Sequence, residues 1–422
     1  MARVSESVAS PQTPSRTDAA DTLWLVGAVA ALNVLAYVDR QLLVAVAPLL
    51  IADLGLSRAQ IGALVGGTFI VVFALGSLVV GLLADRYNRP RLIALGLAVW
   101  SVATAFTSTA NGLASLALWR VVVGIGEAGL PATALSMLSD RVSGRHLAVA
   151  TSLYYAGVPV GFALSFALSG AIAPSLGWRP CFLLLGVGGL ACALLVLRLA
   201  DPPRSGALAK GAGGPRLATA LRERPMVPVL IVAATLLVYA GAASQHTITW
   251  LVSERGFTYS RAAFLSGGVI LVAGLLGSLA IGALADRARA RGPAGRLLAL
   301  AGVSAAGIAA AAAFYTLPPA SPVFYVAWFL AQGYLLGWYG SLVAAVAERA
   351  PVEKRASVLG LLILVINLLG VATGPYVTGL VADRSSLTNA LLWSLAPAGL
   401  GTLLLAVAGL AELRGSTEPQ DA

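Results

Sequence analysis

The sequence predicts an all-α membrane protein of twelve transmembrane helices in two pseudo-symmetric six-helix bundles, and three observations carry that expectation. Hydrophobic residues make up 58% of the chain and charged residues only 11%, whereas a soluble protein carries about a quarter charged. Twelve apolar stretches are each long enough to cross a ~30 Å hydrocarbon layer as a helix. The stretch Gly81-Leu-Leu-Ala-Asp85-Arg86-Tyr-Asn-Arg89-Pro-Arg91 returns as Gly282-Ala-Leu-Ala-Asp286-Arg287, and the two Asp are 201 positions apart in a chain of 422. A half-length period indicates duplication.

In order along the chain, residues 1–21 are polar and rich in Ser, Thr and Pro, without the apolar core of a signal peptide, and are expected to form a cytoplasmic tail. The first bundle (22–199) holds apolar segments at 23–51, 59–84, 91–110, 113–138, 147–173 and 180–199. Residues 200–225 turn to Pro, Gly, Arg and Lys and are expected to be a flexible cytoplasmic linker. The second bundle (226–411) holds segments at 226–251, 261–284, 295–316, 322–347, 356–381 and 388–410, and residues 412–422 form a second tail. With the segments alternating in direction, the tails and even-numbered loops collect 21 Lys and Arg and the odd-numbered loops five. The positive-inside rule therefore places both termini in the cytoplasm. The net charge of +10 is then a topology signal, and nucleic acid is not expected as a partner.

Two six-segment halves with matching Gly-x-Leu/Ala-Ala-Asp-Arg loops after the second and eighth segments resemble the major facilitator superfamily. That resemblance implies a major facilitator fold and a cytoplasmic gate formed by Asp85, Arg86, Arg89 and Arg91 with Asp286 and Arg287. The residue chemistry is compatible with this. Gly81 and Gly282 permit close helix approach, and Asp beside Arg makes charge-assisted bonds that two domains can form and release. The alternative is that these residues only fix topology and cap helix ends.

A charge at membrane depth costs several kcal/mol, of order 3 or more, unless it is paired or faces water. Four ionisable residues therefore stand out in the first half: Asp39 and Arg40 in the first segment, Arg120 and Glu127 in the fourth. Seven residues put Arg120 and Glu127 on one helix face, ~10 Å apart. Counted along the segments, Arg120 is level with Asp39 and Arg40 and Glu127 lies deeper. Structural ion pairing between the two segments is one reading. The other is that Asp39 or Glu127 exchanges a proton while Arg40 and Arg120, which do not titrate usefully, alternate between the carboxylates and an anionic group of a substrate.

Tyr37-Val-Asp-Arg40, Arg120-Val-Val-Val-Gly-Ile-Gly-Glu-Ala-Gly129, Leu138-Ser-Asp140-Arg141 and Tyr154-Tyr-Ala-Gly-Val-Pro-Val-Gly161 are similar to the spinster-like branch of that superfamily. The resemblance implies proton coupling through Asp39 and Glu127, with Arg40 and Arg120 in coupling or substrate binding. It also implies a lipid-like cargo, because animal members carry lysophospholipids and sphingosine phosphate.

Gly124-Ile-Gly-Glu-Ala-Gly129 matches a dinucleotide-binding pattern but lacks the βαβ context that pattern needs. Helix packing explains its small residues, as it does those of Gly157-Val-Pro-Val-Gly161 and Gly370-Val-Ala-Thr-Gly-Pro375, where proline also permits a bend. A substrate cavity is expected between the halves near the bilayer midplane. Candidates for its lining are the polar and aromatic residues inside segments: Asn33, Tyr37, Tyr154, Tyr155, Tyr239, Gln245, His246, Trp250, Gln332, Tyr334, Trp338, Tyr339 and Asn367. Trp24, Trp178 and Trp393 read better as interfacial anchors.

Cys181 and Cys192, eleven residues apart in one helix, are about three turns from each other, beyond disulfide reach. The chain has no metal-ligand cluster and no phosphate-binding loop, so no cofactor is expected and a proton gradient is the expected energy source. The sequence thus predicts a monomeric, multi-pass inner-membrane transporter and not an enzyme. It would work by alternating access on a small organic or lipid-like, amphipathic or anionic substrate. Within this class the alternatives are an uncoupled uniporter and a proton/multidrug antiporter. Outside it stand a signalling receptor, which would need a partner-binding tail, and an intramembrane enzyme, which would need a nucleophile or metal beside the acids.

Overall fold

The computed structural model describes residues 16–84, 86–142, 144–204 and 217–415. Twelve helices among these are long and apolar enough to cross a membrane. They are α1 (Ala20–Ala45), α2 (Arg58–Ala84), α3 (Arg89–Thr107), α4 (Leu113–Arg141), α5 (His146–Leu176), α6 (Arg179–Val196), α7 (Met226–Ser253), α8 (Tyr259–Arg289), α9 (Ala294–Thr316), α10 (Pro322–Arg349), α11 (Ser357–Arg384) and α12 (Leu387–Arg414). The two sets of six form the two bundles expected. The helix containing α1 begins at Arg16, inside the segment expected to be tail, and the last helix runs on to Gly415. Of the linker, residues 205–216 lie outside the described residues, and a short helix, Leu217–Glu223, precedes α7.

Several spans are interrupted, and local chemistry explains most interruptions. The segment expected as one helix over 23–51 divides at Val46, and a short helix Ala47–Leu54 follows with proline in its first turn. Pro48 has no N–H to donate and its ring crowds the carbonyl four residues back. In α4 the break falls just after Glu127, before Pro131 in the helix Leu130–Arg141. In α11 residues Ile366–Val371 form a π-helical turn ahead of Gly374–Arg384, which carries Pro375 in its first turn. One extra residue in that turn accommodates a proline that cannot join the regular ladder. The α7 break, Ser244–His246, is a 3₁₀ turn with no proline. α5 continues through both Pro159 and Pro174, so the interruption that Pro159 permits is not made.

Packing within each half is set by small residues. A Cβ at Gly161 would strike Tyr37 and Val38 of α1, and one at Gly126 would meet Gly96 and Trp100 of α3. Gly370 and Gly374 admit Val238 and Ala242 of α7 in the same way. Gly81 and Gly282, expected at close helix approaches, have open space beside them instead.

The halves are drawn together at their arginine-poor end. There Asp383 of α11 accepts hydrogen bonds from the backbone N–H groups of Arg58 and Ala59, both 3.0 Å, capping the first turn of α2 from the opposite half. Gly379 leaves no room for a side chain against the Arg58–Ala59 backbone, and Gly62 none against Pro375. Tyr259 of α8 donates to the Ala45 carbonyl at 3.1 Å, and Ser260 to the Gly170 carbonyl of α5 at 3.1 Å. Val44, Ala45 and Phe166 of the first half accordingly belong to the same apolar core as the second half. At the opposite, arginine-rich end, Arg86, Arg91, Asp286 and Arg287 are exposed.

This seam predicts a conformational phenotype. A Gly379→Val side chain would overlap the α2 backbone, and overpacking of this kind costs about 1–3 kcal/mol. A cysteine at Ser169, fully buried beside Tyr259, should then react with a thiol reagent about tenfold faster than in the unaltered seam, with Cys181 and Cys192 replaced by alanine. An unchanged labelling rate would show that the seam does not hold this end closed.

Candidate functional site

The four ionisable residues predicted from the sequence converge on one buried cluster. Arg40 is placed by α1, Glu127 by the last turn of α4 before its break, and Nε of Arg40 lies 2.5 Å from Oε2 of Glu127. Glu127 has no exposed side-chain surface, and Arg40 keeps 18% of its own. Asp39, on the neighbouring face of α1, is 2% exposed and takes the hydroxyl of Thr104, which lies 2.9 Å from both carboxylate oxygens. The carboxyls of Asp39 and Glu127 also interact with each other. The long Arg40 side chain reaches Glu127 from α1, so the four residues form one cluster.

Arg120 is 2% exposed, and its Nε finds no hydrogen-bond partner. What it has instead is an aromatic face. Its Cζ stands 4.8 Å from the Phe69 ring centroid, and the Arg40 Cζ stands 5.1 Å from the same ring, 4.5 Å from Phe73 and 4.9 Å from Tyr37. Cation–π contacts of this sort contribute about 0.5–2 kcal/mol each. Thr104, Phe69 and Phe73 were not identifiable from the sequence. A threonine and two phenylalanines inside apolar helices carry no signal until α2 and α3 are packed against α1.

The expected lining residues divide into groups. Tyr37 and the exposed Tyr155 lie near Tyr339 of the other half, so these three face the space between the bundles. Gln245 accepts from Gln41 Nε2 at 3.1 Å across the halves, and Gln332 lines the same cavity as that pair. Tyr154 is buried, edge-on to Tyr155, and its carbonyl accepts from Asn33 at 2.7 Å. Tyr334 and Trp338 are buried in the core of the second half, where Tyr334 occupies the space left by Gly307, so the expected aromatic wall reduces to Tyr339. Trp250 is buried among Phe314, Tyr315 and Phe324 and donates to Thr388. His246 is buried with Nε2 2.8 Å from the Pro375 carbonyl. Asn367 donates back to Ile363 at the start of the π turn, and Tyr239 is half-buried. Of the expected anchors Trp24 and Trp393 are exposed, but Trp178 is buried and donates to Asp53.

Of the residues expected to form a gate, Asp85 lies outside the described residues. Arg89 is almost fully buried inside the first half. It bonds Asp140 at 2.5 Å, Asp201 at 2.7 Å, the Pro202 carbonyl at 2.6 Å and Ser136 at 3.0 Å, tying the start of α3 to the ends of α4 and α6. Asp286 pairs with Arg296 at 2.8 Å, and Arg296 with Glu348 at 3.1 Å, so the second half makes a comparable tie among α8, α9 and α10. At the other end, the Arg179 guanidinium and the Trp178 indole hold the Asp53 carboxyl below the usual carboxylate range. That tie is complete at neutral pH and is lost as pH falls through the lowered value.

Two six-helix bundles, closed on each other at one end around a buried acid–guanidinium cluster, define a multi-pass membrane transport protein. Residues 29–375 match the family model described as Major Facilitator Superfamily, and the chain belongs to that superfamily. An MFS-type efflux pump of Mycolicibacterium smegmatis is 28% identical over 97% of this chain and 96% of its own. Protein spinster homolog 1 of Xenopus laevis is 27% identical over 84% of this chain and 71% of its own. Among solved structures, a bacterial homologue of the human lysosomal transporter spinster, in an inward-facing and unoccupied conformation, superposes with a TM-score of 0.83. It is 22% identical, covering 96% of this chain and 100% of that one.

Arg89→Ala would remove the counter-charge of Asp140 and Asp201 at a buried position, a loss of about 3–5 kcal/mol. The expected outcome is a clearly lower thermal midpoint for loss of monodisperse protein in detergent, with Arg89→Lys intermediate because it cannot reproduce the forked contacts. Wild-type stability in both variants would remove the structural role assigned to Arg89.

Proposed function

We propose that the protein is a proton-coupled secondary transporter working by alternating access on an amphipathic or anionic organic substrate of lysophospholipid or sphingolipid type. It would sit in the inner membrane as a monomer with both termini cytoplasmic. Arginine-rich loops on the side of the termini support that orientation, in which the α2–α11 and α5–α8 seam closes the outer end and the vestibule opens inward.

The observation that carries the reading is the buried Arg40–Glu127 pair with Asp39 against it, beside the space faced by Tyr37, Tyr155 and Tyr339. With both acids ionised, two carboxylates and two guanidiniums cancel. A proton on Glu127 weakens its hold on Arg40 and leaves the cluster one positive charge in excess. In a site of low dielectric that excess must be neutralised, and an anionic group of the substrate approaching Arg40 does so. Return of the proton to water restores the pair and expels the anion. Proton and substrate occupancy are linked through one guanidinium. The gate expected at Arg86, Arg91, Asp286 and Arg287 would close when the arginine-rich ends meet.

A second reading, proton/multidrug antiport, is favoured by the full-length relation to a protein named as an efflux pump. Both readings are tested in proteoliposomes with an internal pH dye, offering a lysophospholipid or a cationic drug. Wild type should move protons when substrate is added, and Asp39→Asn and Glu127→Gln should each abolish that movement while remaining monodisperse. The sign of the pH change with each substrate separates symport from antiport. Unchanged proton flux in both variants would remove the coupling and leave a uniporter.

A further inference from the structure

At the closed end of the vestibule, between the halves, lies a cavity of about 270 Å³ whose lining contains no ionisable residue. Its polar wall consists of carboxamides and hydroxyls, with Gln41 from α1, Gln245 from α7, Gln332 from α10 and Ser266 from α8. Phe162, Phe166 and Trp328 supply much of the apolar remainder. The cavity adjoins the ion cluster, because the Tyr37 ring that carries the Arg40 guanidinium also packs on Phe162, 5.8 Å between centroids.

The hydrogen-bonding capacity of this wall is not used up by the protein. The Ser266 hydroxyl is buried, with the residue 3% exposed, and has no partner. A polar group left so costs about 1–3 kcal/mol. Gln41 and Gln245 both line the cavity, and their one bond to each other uses neither the carbonyl of the first nor the amide N–H groups of the second. Gln332 adds a whole carboxamide with a donor and an acceptor. Groups of this kind do not offset a full charge, but they pair well with a hydroxyl or an amide, which both donates and accepts.

We propose that this cavity is a binding subsite for an uncharged, hydroxyl- or amide-bearing portion of an amphipathic substrate, recognised by Gln41, Gln245, Gln332 and Ser266. It rests on the reading of the vestibule as the transport site and divides that site by chemistry, the anionic group at Arg40 and the neutral polar group at the glutamines. A ligand hydroxyl inserted here competes with the Gln41–Gln245 bond, which is one of the direct links between the halves.

The test uses a photoreactive diazirine analogue of 1-decanoylglycerol, a neutral head on a single chain, with protein reconstituted in lipid nanodiscs and no pH gradient. Decanoate and decyltrimethylammonium carrying the same diazirine serve as charged controls. The monoacylglycerol should label Phe162, Phe166 or Leu336, competed by unlabelled monoacylglycerol. Gln332→Leu and Ser266→Ala should each weaken that labelling about tenfold, the effect of losing one or two hydrogen bonds. Ser266→Ala removes only an unpartnered hydroxyl, so its thermal midpoint should not fall, which separates loss of binding from loss of folding. Labelling confined to the exposed groove of the second half lined by Leu276 and Leu330, labelling unaffected by both variants, or equal labelling by all three heads would each overturn the proposal. Because no proton gradient is present, failure here is distinct from failure of proton coupling, which Asp39→Asn and Glu127→Gln report.

Discussion

Charge cannot remain unsolvated in the middle of a bilayer, and the first half of this protein is organised by that constraint. Two acids and two guanidiniums from α1 and α4 neutralise one another, and the way they do so is unequal. Arg40 and Glu127 form a direct pair, Asp39 relies on the Thr104 hydroxyl, and Arg120 rests on the face of Phe69. Either guanidinium has the chemistry to serve either carboxylate. A rigid core of the same volume filled with leucine would have one arrangement and no reason to change when a proton or an anion arrives.

The second half does not repeat this chemistry. At the repeat's offset of 201 positions the counterparts of Asp39 and Arg40 are Ala240 and Gly241 (39 + 201 and 40 + 201). Where one bundle carries charge, the other carries small or neutral residues. The buried charges therefore lie on the first bundle, while the carboxamides of Gln41 and Gln245 meet at the seam between the two.

The ends of the helices were duplicated more faithfully than their middles. Asp53 accepts from the Trp178 indole and the Arg179 guanidinium at the start of α6, and Glu254, 201 positions later (254 − 53), accepts from the backbone N–H groups of Leu387 and Thr388 at the start of α12. Arg89 and Arg296, each in the opening turns of a bundle's third helix, bind acids at the end of the fourth. Helix ends leave N–H and C=O groups unsatisfied whatever the protein carries, so these ties keep their value in both copies. The mid-span charges Asp39 and Arg40 have no charged counterparts in the second copy. The Gly379–Arg58 and Gly62–Pro375 contacts join the copies to each other, and the α5–α8 contact of Ser260 and Ala263 with Gly170 is their counterpart, since Arg58, Ala59 and Gly62 shifted by 201 positions fall at Tyr259, Ser260 and Ala263.

Hydropathy, loop charge and the half-length repeat by themselves determined twelve spans, two bundles and the expected orientation, because each depends on local composition against a fixed bilayer thickness. The chemistry of the cluster was also legible, since a charge in an apolar run is conspicuous in one dimension. Which charge meets which was decided only by packing: α1 and α4 are 87 residues apart at Arg40 and Glu127, and the long Arg40 side chain reaches across to a carboxylate on the other helix. Thr104 and Phe69 acquire meaning only as neighbours. Tyr334 and Trp338 show the converse, because an aromatic residue in mid-span reads the same in sequence whether it faces a cavity or a core. Arg89 resembled an interdomain gate in its loop, yet the tertiary fold buried it against Asp140 and Asp201, because a guanidinium near the membrane surface takes the acids that chain folding brings to it.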